Sequence, residues 1–135
     1  MNSSLLLPWN ALDHLGGFAS RAELMRFGCS PAFIDLSVWY RRILPLRRGW
    51  YGSRGLDPLV LRALRIGGRL ACASAVAWYE GRAWEGPVHV LVPYGASRLG
   101  QGAVVHGSRR AHAGSRTVVA LEVARRQAAT CRISR

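Results

Sequence analysis

The chain has 135 residues, half of them hydrophobic and 19% charged, with mean hydropathy +0.06. That is enough chain for one ordinary domain or two very small ones, and too apolar for wholesale disorder. Its longest apolar run, Leu70 to Tyr79, is interrupted by Ser74 and is too short to span a bilayer. The N-terminal run MNSSLLLPWN lacks a basic segment, so a secretory signal is not expected and the cytoplasm is the expected compartment.

Nineteen basic residues against seven acidic ones give a net charge of +12 and a pI near 11.4. A surplus of this size marks a polyanionic partner, because neutralising phosphates releases condensed counterions. Every basic residue is arginine. The guanidinium fork suits phosphate and guanine edges, and the absence of lysine excludes Schiff-base chemistry and a P-loop. Residues 41–70 hold Arg41, Arg42, Arg47, Arg48, Arg54, Arg62, Arg65 and Arg69 against Asp57 alone. A second basic block, residues 106–135, sets seven arginines against Glu122. The stretch between the two blocks is neutral.

In chain order, Pro8 to Leu15 reads as a short helix ended by Gly16-Gly17. Ser20-Arg21-Ala22-Glu23 is a capping box that opens a helix from Arg21 to Phe27, closed by Gly28. Ser30-Pro31 starts a third helix running to about Arg41. Two short helices joined by Gly28-Cys29-Ser30 have helix-turn-helix spacing. Pro45 forbids a helical continuation, and the β-formers on both sides of Arg47-Arg48-Gly49 read as a hairpin, a wing. Asp57-Pro58 caps a helix from Leu59 to Ile66, and Ser74 is expected to cap another from Ala75 to Tyr79. Pro87 to Pro93 and Ala103 to His106 read as strands separated by a glycine-rich turn, and Val118 to Ala129 as a helix. The resulting expectation is an α+β chain. A winged helix-turn-helix DNA-binding domain spans residues 1–55, and a small α/β domain with a short sheet, a final helix and a flexible tail spans 56–135.

The run GFASRAELMRFGCSPAFIDLSVWYRRILPLRRGWYG, followed by SAVAWYEG, PVHVLVPYG and VVHGSRR, resembles the AbiEi-type antitoxin proteins of actinobacteria and their phages. The resemblance covers about Gly17 to Cys131: the N-terminal winged-helix domain of that family and the small α/β segment after it. It implies repression at a DNA operator, often the protein's own promoter, and no enzymatic activity in this part. Longer relatives continue into a nuclease-like domain, so a short stand-alone regulator is implied, of antitoxin or phage type.

The third helix departs from the arginine-rich helix of those relatives. Ile34 and Val38 share one face while Phe33, Leu36 and Tyr40 share nearly the opposite one. A helix apolar almost all round predicts burial on two sides, or aromatics that meet bases. DNA contact is therefore expected mainly from Arg41 and Arg42 at its end, from Arg47 and Arg48 on the wing and from Arg54 just beyond. These guanidinium groups are expected to be displayed together. Ser37 is a candidate base-edge donor, and Ser20 and Arg21 are candidates for a phosphate at the second helix's start. Trp50 and Tyr51 are expected to anchor the wing in the core.

No Ser/His/Asp or paired-carboxylate arrangement stands out, so catalysis is not expected. The spacing of Cys29, Cys72 and Cys131 contains no C-x-x-C, and a zinc site would have to gather ligands from distant segments. Buried free thiols, with no metal and no cofactor, are the expectation. The expected partner is a double-stranded DNA operator, bound by a homodimer if the operator is palindromic. A second function class places a toxin or other protein partner on the apolar third helix and the basic C-terminal block. RNA binding is a third, lacking its usual stacking motifs.

Overall fold

A computed structural model describes residues 7–132, so the first six residues and the end of the C-terminal tail lie outside the described residues. The fold is mixed α+β, with six helices and two three-stranded sheets among the described residues. The chain divides into two compact units, Met1–Leu56 and Asp57–Arg135.

In the first unit, α1 (Pro8–His14) leads into β1 (Phe18–Ser20), then α2 (Arg21–Phe27), α3 (Pro31–Trp39), β2 (Ile43–Arg47) and β3 (Trp50–Ser53). The helix boundaries follow from local chemistry. Ser20 and Glu23 complete the capping box in both directions, and Ser30 accepts from the Phe33 amide with Pro31 next in line. Gly28 closes α2 at φ +115, a conformation that a side chain would oppose. β3 lies between β1 and β2, antiparallel to both, so Tyr51 faces Ala19 on one side and Pro45 on the other. A register shift between Pro45 and Arg47 bends the hairpin just before its tip, where Gly49 turns at φ +77. Ala11, Leu12, Ala19, Leu24, Ile34 and Ile43 form a fully buried core, with Cys29 and Tyr51 beside them.

The second unit runs α4 (Pro58–Ile66), β4 (Arg69–Leu70), α5 (Cys72–Tyr79), β5 (Val88–Pro93), β6 (Ala103–Ser108) and α6 (Leu121–Thr130). Asp57 caps α4 by accepting from the Leu59 amide, and Val60, Ala63 and Leu64 make its buried stripe. β5 is central, antiparallel to β4 and parallel to β6. Its residues Val88 to Val92 are all buried, as befits a strand covered on both faces.

Two boundaries differ from expectation. α5 begins at Cys72 rather than beyond Ser74, because the Ser74 hydroxyl is buried and accepts from the His89 amide at 2.9 Å instead of capping the helix. α6 begins at Leu121 rather than Val118, because Val118 and Val119 bridge to Leu70 and Gly114. The thiols are also more organised than isolated buried groups. Cys29 is buried alone in the first core, whereas Cys72 and Cys131 converge on His89 and His106 in the second.

Candidate nucleic-acid interface

Along the chain, the arginines of residues 41–54 fall at the two ends of the hairpin. At the base, Arg41 and Arg42 follow α3, and Arg54 follows β3. The Arg42 guanidinium lies over the Trp9 ring of α1, 4.2 Å from its centroid, so its direction is set by a cation–π contact. Trp9, Arg42 and Arg54 line an open hollow of about 580 Å³, shared with Asp13, whose carboxylate accepts from the Ser53 hydroxyl at 3.2 Å. At the tip sit the half-buried Arg47 and the exposed Arg48. The four residue steps from Ile43 to Arg47 separate base from tip by about 14 Å. Arg41, Arg42, Arg48 and Arg54 form no ion pair among the described residues.

Arg21 behaves differently. Its guanidinium donates to Asp35 of α3 at 2.9 Å and to the Tyr51 hydroxyl at 3.1 Å, and these partners hold its pKa above the ordinary arginine value. The backbone amide of Arg21 donates to the Gly49 carbonyl, tying the start of α2 to the hairpin tip. Arg21 thus joins α2, α3 and β3 as an internal brace, with its charge met by Asp35. Ser20 is likewise occupied: its hydroxyl accepts from Glu23 and its amide donates back to that carboxylate. A carboxylate at this helix start opposes a phosphate there. Ser20→Ala is expected to cost about 1 kcal/mol of stability in a denaturant titration.

Ser37 is 2% exposed and donates to the Phe33 carbonyl at 2.7 Å, within its own helix. Its donor is therefore spent, and the expectation of a base-edge contact from Ser37 has no free hydroxyl behind it. The burial of α3 is one-sided. Ile34 faces the core, whereas Phe33, Leu36, Trp39 and Tyr40 are exposed. Phe33, Leu36 and Tyr40 border a groove of about 410 Å³ that also reaches Trp9 and Arg42. Tyr51 is buried as expected, whereas Trp50 is exposed and stacks on Phe18 at 4.9 Å instead of entering the core. Sequence reading missed Trp9, Asp35 and Tyr51 as partners of the arginines, since each acts across the fold rather than along the chain.

In the second unit, Arg109 lies over the Tyr94 ring at 3.9 Å, and His112 meets the Ser108 hydroxyl at 2.8 Å. Arg69 donates to the Ser115 and His112 carbonyls, bracing the loop before α6. Neither a protein-family model nor a curated protein matches this chain. No helix among the described residues is long and apolar enough to cross a membrane.

Proposed function

We propose that this chain is a non-catalytic transcriptional repressor that binds a specific double-stranded DNA operator through a winged helix-turn-helix in its first unit. The observation that carries the reading is the hairpin after α3, which has arginines at both ends of a strand that rises about 14 Å. That spacing is close to the roughly 12 Å width of the major groove. Arg47 and Arg48 can then meet one phosphate wall while Arg41, Arg42 and Arg54 meet another. The short connection Gly28–Ser30 between α2 and α3 supports the same reading, as does the net charge of +12. The resemblance to AbiEi-type antitoxins fits a regulator acting at its own promoter. On the α3 face, Phe33 and Leu36 offer apolar contact to thymine methyl groups, and the exposed Trp39 and Tyr40 add an indole N–H and a hydroxyl. Specificity then rests on groove shape and on the α3 face.

The test is a footprint on DNA flanking the gene, followed by anisotropy titrations of the protected duplex at several salt concentrations. Five arginine–phosphate contacts predict a log–log salt slope of about −4.5. A slope near zero, or no protected segment, overturns the reading.

A second reading has its own support in Trp39, which is 79% exposed on an apolar helix face. A toxin or other protein partner could cover that face, with the basic C-terminal block assisting. Co-purification of a partner at high salt without any operator footprint would favour it.

A further inference from the structure

Four side chains that the sequence keeps apart meet in the second unit. Cys72 opens α5, His89 lies in β5, His106 in β6, and Cys131 directly follows α6. His89 Nδ1 and His106 Nε2 are 3.3 Å apart, and Cys131 Sγ is 3.8 Å from each. With Cys72 Sγ the set is complete, all four ligand atoms lying within 4.8 Å of one another. Cys72 and His89 are buried, and His106 and Cys131 are half-buried.

We propose that Cys72, His89, His106 and Cys131 are the four ligands of a structural zinc ion. Metal–ligand lengths of about 2.05 Å to nitrogen and 2.3 Å to sulfur, arranged tetrahedrally, require edges of about 3.4 Å (N–N), 3.6 Å (N–S) and 3.8 Å (S–S). The observed nitrogen pair and both sulfur–nitrogen spacings fall within about 0.3 Å of those edges, inside the tolerance for ligand placement. Two soft thiolates with two imidazoles favour zinc over calcium, magnesium or manganese, whose sites are built from oxygen. Two thiolates also cancel the dication, so the assembled centre is neutral and suits a buried position. With four protein ligands no coordination position is left for water, which makes the site structural and not catalytic.

The backbone around the site is set for this geometry. Cys72 sits at φ +54, a left-handed conformation that a cysteine adopts at a cost of about 1 kcal/mol. Its amide is held by the Gln127 side-chain carbonyl at 3.0 Å, which ties α5 to α6. The His89 amide is held by Ser74, and the Trp84 ring meets the His89 ring edge-on at 5.5 Å. Zinc would clamp the end of α6 and the start of α5 onto β5 and β6, giving this small unit a staple that its modest core lacks.

The test uses the full untagged chain, purified with reductant and without chelator. Elemental analysis is expected to find about one zinc per chain. Cobalt, exchanged in after stripping, is expected to give the visible bands of a tetrahedral centre with thiolate-to-metal charge transfer. Cys131→Ser and His106→Gln should each reduce bound zinc to near zero and lower the melting temperature by about 10 °C or more. Should either variant fail to fold, the cobalt spectrum of the unsubstituted chain decides by itself. Folded protein that holds no metal and gives only the spectrum of solvated cobalt overturns the proposal. So does a Cys72–Cys131 disulfide that persists in reductant, or stoichiometric iron or copper in place of zinc.

Discussion

Replacing Arg47 and Arg48 together with alanine is expected to weaken binding to every duplex, operator or not, by roughly 30-fold at moderate salt. Each guanidinium contributes about 1 kcal/mol through a charge-assisted contact to phosphate, and the two act on neighbouring phosphates. The log–log salt slope should become shallower by about two units, since two fewer counterions are released. The fold should survive, because Gly49 makes the turn and Phe18–Trp50 stacking holds the strands beneath it. The ratio of operator to non-operator affinity should change little, as phosphate contacts position without reading sequence. Anisotropy titrations over a salt series check all of this. Unchanged affinity with an unchanged slope would remove the hairpin tip from the interface and favour the protein-partner reading.

The parts of the fold that were legible in the sequence are those governed by neighbours along the chain. Ser20 with Glu23, Ser30 with Pro31 and Asp57 with Pro58 each mark a helix start, and each cap forms, Ser20 accepting from Glu23, Ser30 from Phe33 and Asp57 from Leu59. Elements made by distant pairing were not legible. β1 is three residues long and exists because Ala19 pairs with Tyr51, and β4 is two residues set against β5. Nothing within Phe18–Ser20 or Arg69–Leu70 carries a period long enough to read. Ser74 misled for the same reason: a serine suited to a local cap is used by a strand amide fifteen residues away.

The candidate sites show the same division. Arginine identity and clustering were visible, but their sorting into a braced Arg21, a Trp9-backed Arg42 and an exposed Arg48 depends on the tertiary fold. The all-round apolar character of α3 could not indicate which face the core would take. The cysteine and histidine spacings of 17 and 25 residues match no local zinc knuckle, because the sheet, not a short loop, brings the ligands together.

Arg41 offers a test in which stability and binding move in opposite directions. It follows α3 at φ +58, with its amide donating to Val38 and the Arg42 amide donating to Ser37. That pair of bonds is the helix closure that ordinarily takes glycine, so arginine holds a strained backbone there. Arg41→Gly is expected to raise unfolding free energy by about 0.5–1 kcal/mol, read from a denaturant midpoint at unchanged slope. The same variant should lose roughly five- to tenfold in duplex affinity and about one unit of salt slope, having lost one phosphate contact. An arginine kept only to cap the helix would give a more stable protein with undiminished binding. A fall in affinity alongside the gain in stability means that the strained position is maintained for what its side chain touches.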